Sequence, residues 1–374
     1  MDQPSSPKQN KQQTIVGVLR GRIVAGELPP GHRLSSRAVR QEFGACAATT
    51  QAAIKTLVED GFLLTEPRRG TYVSPAPPHL ASYGVVFADR PLSVPPDGTL
   101  NSMLAYQCMM RQQNDQPQLK LYFGVNGYED EEDYQRALAD LEAHRLAGLF
   151  FVYGGILGDT PLVTHPGLAR VTITKPFDHA PGIFGGHQMF FIKGLDHLAT
   201  LGCRRVAILG CQRGPLGADD DFCREQVARR NMLMPPHWLI PDLPSSHEQM
   251  LLIRHYVYLL LRDRQDRPDS LVIADDAVLD SVLAGIFDAG VRIGVDLEVV
   301  AHCNYPLPKP DQWPVTRLGW PVPAVLDTAF DLLDRQRRGV QVPLAVTLPF
   351  VFTGEEAASV ELERSTRSLG WPSA

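Results

Sequence analysis

The chain has 374 residues, 44% of them hydrophobic and 21% charged, with 31 glycines, 31 prolines and a formal net charge of −6. That length supports two or three domains with real apolar cores, and the composition excludes a disordered, collagen-like or disulfide-dense chain. No apolar run is long enough to span a bilayer and residues 1–13 are polar, so neither a membrane span nor a signal peptide is expected.

In chain order, residues 1–12 read as a flexible tail. Ile15, Leu19 and Ile23 then recur at helical spacing and stop at Gly26, where Glu27-Leu28-Pro29-Pro30-Gly31 makes a turn. Leu34-Ser35-Ser36 offers a hydroxyl cap to a second short helix carrying Val39 and Phe43 and ended by Gly44. A third helix is predicted over 48–60, with Ala53, Ile54, Leu57 and Val58 inward and Thr49, Thr50, Gln51 and Lys55 outward. After Gly61 a short hairpin turns at Arg68-Arg69-Gly70. Three helices closed by a basic hairpin make a winged helix-turn-helix over 13–75, with the third helix in the major groove of double-stranded DNA and the wing tip on a neighbouring backbone or minor groove. The candidate DNA contacts are Ser36, Arg37 and Arg40, then Thr49, Thr50, Gln51 and Lys55, then Arg68, Arg69, Gly70 and Thr71. Gln51 has the amide geometry to pair bidentately with adenine.

This stretch resembles the GntR family of bacterial regulators. The matching run is Ile23…Gly26-x-Leu28-x-Pro30-Gly31-x-x-Leu34-x-Ser36, then Phe43-Gly44, Leu57…Gly61 and Arg69-Gly70-Thr71-Tyr72-Val73. Where the family has Ser-Arg-x-Thr-Val-Arg entering the third helix, this chain reads Cys46-Ala47-Ala48-Thr49-Thr50-Gln51, and the segment before Phe43 is one residue short. Both arginines of that element are missing, so fewer phosphate and guanine contacts are expected. Residues 1–75 nonetheless hold ten Lys or Arg against six acids, a basic end on an acidic chain.

Prolines at 75, 77 and 78 mark a linker over 76–82. In polyproline geometry, at about 3.1 Å per residue, nine residues here would span roughly 28 Å and hold the head clear of the body. Beyond it, strands predicted at 83–88, 119–123, 148–153, 205–209, 270–274 and 297–301 alternate with helices at 102–112, 131–144, 191–201, 222–232, 247–262 and 278–289. That alternation argues for an α/β body of parallel sheets covered by helices.

Three further runs, in order, resemble LacI-type sensor domains, whose fold is that of periplasmic sugar-binding proteins: Leu195-Asp196-His197-Leu198-Ala199-Thr200-Leu201-Gly202-Cys203-Arg204-Arg205-Val206-Ala207-Ile208-Leu209, then Arg267-Pro268-Asp269-Ser270-Leu271-Val272-Ile273-Ala274-Asp275-Asp276, then Ala289-Gly290-Val291-Arg292-Ile293-Gly294-Val295-Asp296-Leu297-Glu298-Val299-Val300. The likeness implies a two-lobed domain over 83–354 with a ligand between the lobes. The first lobe would be 83–178 with a return near 320–338, the second 180–317 with a last strand near 342–354, and 355–374 a tail.

In open α/β sheets ligands sit beyond the C-terminal ends of strands. Candidates at such ends are Asp89 and Arg90, Tyr153 and Gly154, Gln212 and Arg213, Asp275 and Asp276, His302 and Asn304. By the resemblance, Asp276 falls where these sensors hold a sugar hydroxyl or base nitrogen, which is the favoured reading over a helix cap, while its neighbour Asp275 reads as a cap of the following helix. Three carry-overs fail: Asp219 replaces a ligand-binding arginine, Met189 a carboxylate, and Cys303 an aspartate. A carboxylate in place of a guanidinium favours neutral or cationic effectors, such as a sugar, over anionic ones. Alternatively, Asp219-Asp220-Asp221 is a solvated helix start welcomed by the dipole. Trp320 either stacks on a sugar face or packs in the core. The expected effector contacts are thus Asp89, Arg90, Tyr153, Asp219, Asp276, Asn304 and Trp320.

No nucleophile elbow, phosphate loop or zinc-protease motif occurs, and the acidic run 129–133 reads as a helix start, so no enzyme, cofactor or metal is expected. Cysteines 46, 108, 203, 211, 223 and 303 form no C-x-x-C pair, and Cys203, Cys211, Cys223 and His197 fit no zinc spacing. They read as reduced thiols of a cytoplasmic protein. The resulting expectation is a homodimeric regulator whose DNA binding answers to a small polar ligand. The alternative is a binding module tethered to DNA or to a partner protein, with a degenerate, ligand-free sensor.

Overall fold

The computed structural model describes residues 7–89, 99–113, 118–126, 132–152, 157–173, 176, 180–184, 186–210, 220–240, 247–307 and 312–355. They divide into two compact units. The first comprises Met1–Arg90, Met110–Val171 and Leu332–Val342, and the second Pro91–Met109, Thr172–Asp331 and Pro343–Ala374.

The first unit begins with the head: α1 (Pro7–Val24), β1 (Arg33–Leu34), α2 (Ser36–Phe43), α3 (Ala47–Glu59), β2 (Leu63–Glu66) and β3 (Gly70–Val73). α1 starts at Pro7, inside the segment read as a tail, because proline at a helix start sacrifices no hydrogen bond. Ile15, Leu19, Ile23, Val39, Ala53, Ile54, Leu57, Phe62 and Val73 form the core of the head. Full burial of each large aliphatic among them contributes about 1.5–3 kcal/mol. Ser35 caps α2 by accepting from the Ala38 N–H, and Gly44 ends it in the left-handed region at φ 54°. β1, β3 and β2 form a three-stranded antiparallel sheet in that order, with Arg33 opposite Tyr72 and Glu66 opposite Gly70.

The expected extended linker is instead folded. α4 (Pro78–Ala81) makes one helical turn, Pro78 is buried, and β4 (Ser82–Phe87) begins at once. Pro78 sits at the first helical position, where its missing N–H costs nothing. β4 pairs in parallel with β5 (Gln118–Tyr122) on one side and β6 (Gly148–Val152) on the other. Connections run through α5 (Leu100–Gln113) and α6 (Glu132–Glu142). α7 (Pro161–Thr164) and β7 (Ala169–Ile173) come next; the sequence pattern predicts neither, since four-residue helices carry no period and β7 is buried along its whole length.

The second unit continues with β8 (Gly182–Phe184), α8 (His187–Thr200), β9 (Val206–Leu209), α9 (Asp220–Arg229), β10 (Leu239–Ile240), α10 (His247–Arg262), β11 (Ser270–Ile273), α11 (Leu279–Asp288), β12 (Glu298–Tyr305), β13 (Thr316–Pro321), α12 (Val322–Arg337), β14 (Ala345–Thr347) and β15 (Val351–Phe352). α12 straddles the boundary between the units, which falls between Asp331 and Leu332. Its six-stranded sheet has the order β10-β9-β11-β12-β13-β15, parallel except for β15. β14 pairs with β8 rather than joining that sheet. One face is covered by α10 and α11, with Val257, Leu261, Val282 and Ile286 packed on Leu271, Ile273, Val299 and Ala301. β12 runs four residues past its predicted end, so His302 and Asn304 lie in the strand.

β12 and β13 approach closely where Cys303 lies opposite Gly319. A Cβ on Gly319 would run into the Cys303 carbonyl and stand 2.6 Å from its Sγ. Gly319→Ala is therefore expected to cost more than about 3 kcal/mol, above the usual overpacking range because backbone is struck. Urea unfolding of the full chain measures this; an unchanged midpoint would show that the strands part freely.

Candidate DNA and effector sites

In the head, α3 is fastened by its inner face, where Ala53, Ile54 and Leu57 are buried, and presents Gln51 and Lys55 outward. Thr50 does not join them. It is buried, and its hydroxyl donates to the Cys46 carbonyl at 3.1 Å. The predicted base contact at Thr50 is corrected on that ground: helical period put the residue on the boundary of the inner face, and packing with the core took it inside. Thr49 is half-buried beside the Cys46 thiol, at 3.2 Å. Ser36, Arg37 and Arg40 are exposed on α2.

The wing tip is Pro67-Arg68-Arg69, with Arg68 at φ 65° and Gly70 at φ 127°. Left-handed backbone is uncommon for arginine and turns the tip sharply. Arg69 is exposed and lies 3.3 Å from Glu66, and Lys55 lies 3.4 Å from Glu59. Both ion pairs are surface ones, worth about 0–1 kcal/mol, and yield readily to a phosphate. Thr71 sits opposite Thr65, hydroxyl to hydroxyl at 3.3 Å. Arg33 was absent from the expected contacts. Its guanidinium lies over Gly70, 3.3 Å from where a Cβ would be, which adds an exposed cation to the wing. Its sequence signal was its place two residues before the Ser35 cap, on the strand that pairs with the wing.

In the second unit, three of the expected effector residues come together. Asp276 lies just after β11, and its carboxylate accepts from the Asn304 amide at 2.6 Å. Trp320 is the register neighbour of Asn304 on β13, so the two side chains share a sheet face. His302, two residues before Asn304, lies on that face as well, with Nδ1 3.7 Å from the other Asp276 oxygen. Around them stands an aromatic panel that sequence reasoning missed. Trp320 stacks on Phe350 at 5.5 Å, and Phe190 packs edge-on against His302 at 5.7 Å and Phe350 at 5.5 Å. Phe190 and Phe350 carry no local signal, because an inward aromatic on a helix or near a strand end looks like any core residue. The indole N–H of Trp320 is buried and meets no hydrogen-bond partner among the described residues.

Asp275 caps the turn after β11, accepting from the Ala277 N–H at 2.9 Å, and burial pushes its carboxyl up. The neighbouring carboxylates thus divide the two roles left open for the pair, with Asp275 as the cap and Asp276 turned to the cluster. Asp89 is exposed in the first unit. Arg90, Tyr153 and Asp219 lie outside the described residues, as do Gly154, Gln212 and Arg213. Met189 is an exposed residue inside α8, and Cys303 is buried in β12. Asp220 and Asp221 form the first turn of α9, where the helix dipole favours acids. Burial pushes the Cys203 thiol up to about 11, and no group of three His, Cys, Asp or Glu among the described residues is placed to hold a metal. No helix among the described residues is long and apolar enough to cross a membrane.

Residues 11–73 match the model of the bacterial regulatory proteins of the gntR family, and residues 195–353 match a periplasmic binding protein-like domain. The chain joins a GntR-type head to a periplasmic-binding-protein-like body. This is the build of a DNA-binding transcription regulator. Solved structures share the fold of the body. A LacI-family protein from Sanguibacter keddieii aligns at a TM-score of 0.55 and 15% identity, covering 73% of this chain and 96% of that one. The transcription regulator CcpA of Lactococcus lactis aligns at 0.52 and 14%, covering 73% and 97%. A LacI-family regulatory protein from Chloroflexus aggregans gives 0.52 and 14%, covering 72% and 96%. At such identities the likeness is one of fold. No curated protein matches the chain.

The GntR-type head carries two expectations. Arg69→Ala should lower the slope of log affinity against log salt by about one; gel-shift titration over a salt series reads it, and an unchanged slope would remove the wing from phosphate contact. Gln51→Ala should relax preference at one base pair by about 1–3 kcal/mol. An in vitro selection returning identical motifs for both proteins would exclude Gln51 from base readout.

Proposed function

We propose that this regulator binds duplex DNA as a homodimer through its winged head and senses a small polar ligand at the Asp276 cluster of the second unit. The carrying observation is the composition of that cluster. Asn304, which holds the Asp276 carboxylate at 2.6 Å, is the register neighbour of Trp320, whose indole stacks at 5.5 Å on Phe350. Oriented acceptors beside an aromatic platform suit a ligand with hydroxyls on one edge and C–H groups on its face, which is the chemistry of a sugar. Negative charge on Asp276 supports a neutral or cationic ligand. Pairing of two heads would strengthen the DNA step, since a single winged head makes a small interface and a second half-site multiplies affinity through effective concentration.

The second reading, a ligand-free module tethered to DNA, is favoured by the same Asn304–Asp276 bond, which satisfies the carboxylate inside the protein. One experiment separates the two. Titrating neutral, cationic and phosphorylated sugars into the full chain by calorimetry, then repeating the gel shift with any binder, should show a coupling of about 1–3 kcal/mol between ligand and DNA. Asp276→Ala should abolish that response and leave ligand-free DNA affinity within error. Binding restricted to phosphorylated or carboxylated compounds would overturn the charge argument. A screen in which no compound moves DNA affinity would leave the tethered module standing.

A further inference from the structure

We propose that the head is held against the first unit's own parallel sheet by a chain of shared carboxylates, Arg20–Asp60–Arg145–Asp140, which fixes the direction of α3. The proposal rests on reading α3 as the DNA-reading helix, although its test does not require DNA. Asp60 is the residue that ends α3. One oxygen of its carboxylate accepts from Arg20 of α1 at 2.5 Å, and the other accepts from Arg145, 85 residues further along, at 2.9 Å. Arg145 lies just beyond α6 and donates through Nε to Asp140 at 2.6 Å. Asp140 in turn holds Lys120 of β5 at 3.0 Å and the Tyr122 hydroxyl at 2.6 Å. Burial opposes charge on Asp140, but the bonds from Tyr122 and Lys120 prevail and hold its carboxyl below the ordinary value.

Neither carboxylate is a solvated surface group: the Asp60 side chain is 15% exposed and that of Asp140 9%. The linker closes the same corner. His79 stacks on Phe62 at 5.9 Å, and the Arg20 guanidinium lies over the Phe62 ring at 5.5 Å. Burial pushes the His79 imidazole down to about 4, so it remains a neutral ring in the stack. Gly61, at φ 81°, lets the chain leave α3 with its Cα close to Pro78, where a Cβ would stand 3.3 Å from the proline ring. Beside this contact a cavity of 480 Å³ is lined by Glu59, Asp60, Lys120, Asp140 and Arg145. The corner is thus not packed solid with apolar side chains, and the ion pairs carry the restraint. A shift of the turn at Arg145 reaches the end of α3 through the one hydrogen bond from Arg145 to Asp60.

Spin labels on the exposed Cys46 and on an introduced Ala139→Cys report the distance from head to α6 in the full chain, with Cys211→Ser and dilution by unlabelled protein. Wild type should give one narrow distance. Arg145→Ala should lose it for a broad distribution, and so should Asp60→Asn, which keeps an acceptor for Arg20. Lys120→Ala, which removes a partner of Asp140 but not the contact with Asp60, should stay narrow. Thermal melting by circular dichroism checks that each variant folds, and Asp60→Asn carries the test should Arg145→Ala melt. A narrow distance in both variants, or equal broadening by Lys120→Ala, would overturn the clamp.

Discussion

Parallel strand pairing is the constraint on which the candidate effector site depends. β11, β12 and β13 run in one direction, so their C-terminal ends reach the same edge of the sheet. Asp276 comes from the turn after the first, Asn304 and His302 from the end of the second and Trp320 from the end of the third. Asp276 and Asn304 are 28 positions apart in the chain and Asn304 and Trp320 are 16 apart, yet strand pairing makes them neighbours. The inner faces of α10 and α11, packed on the far side of the sheet, hold that register. A slip of one residue would turn His302 and Asn304 to the opposite face and replace them with Cys303 and Tyr305.

The head is organised by a different economy. Its core is small, and two of its arginines are held by acids, Arg20 by Asp60 and Arg22 by Glu42, while Lys55 and Arg69 have only surface pairs with Glu59 and Glu66. The excess of basic residues seen along residues 1–75 therefore overstates the charge free to meet phosphate. Arg33, Arg37, Arg40 and Arg68 remain as the exposed guanidiniums of α2, β1 and the wing tip. With alanine at the two positions before Thr49, base reading falls on fewer side chains, and Gln51 is the one with paired donor and acceptor geometry.

Much of this was written locally. Glycine at the helix ends, serine at the cap, the apolar period of α1 to α3 and the alternation of strands with helices announced a winged head and a parallel α/β body, because each is a short-range signal of backbone geometry. Asp276 and Asn304 were legible as strand-end residues for the same reason, whereas Trp320 stood out only as an aromatic that either stacks or packs. Tertiary structure alone decided the rest. Thr50 lay on the margin of a helical face, and only packing sent it inward. The linker's prolines promised extension, yet burial of Pro78 and the stack of His79 on Phe62 folded it into a turn. Phe190 and Phe350 became part of the site through contacts across long stretches of chain, and Asp60 met Arg145 across 85 residues. Such partners leave no mark on the residues between them, since what selects them is the shape and charge of a surface that exists once the chain has folded.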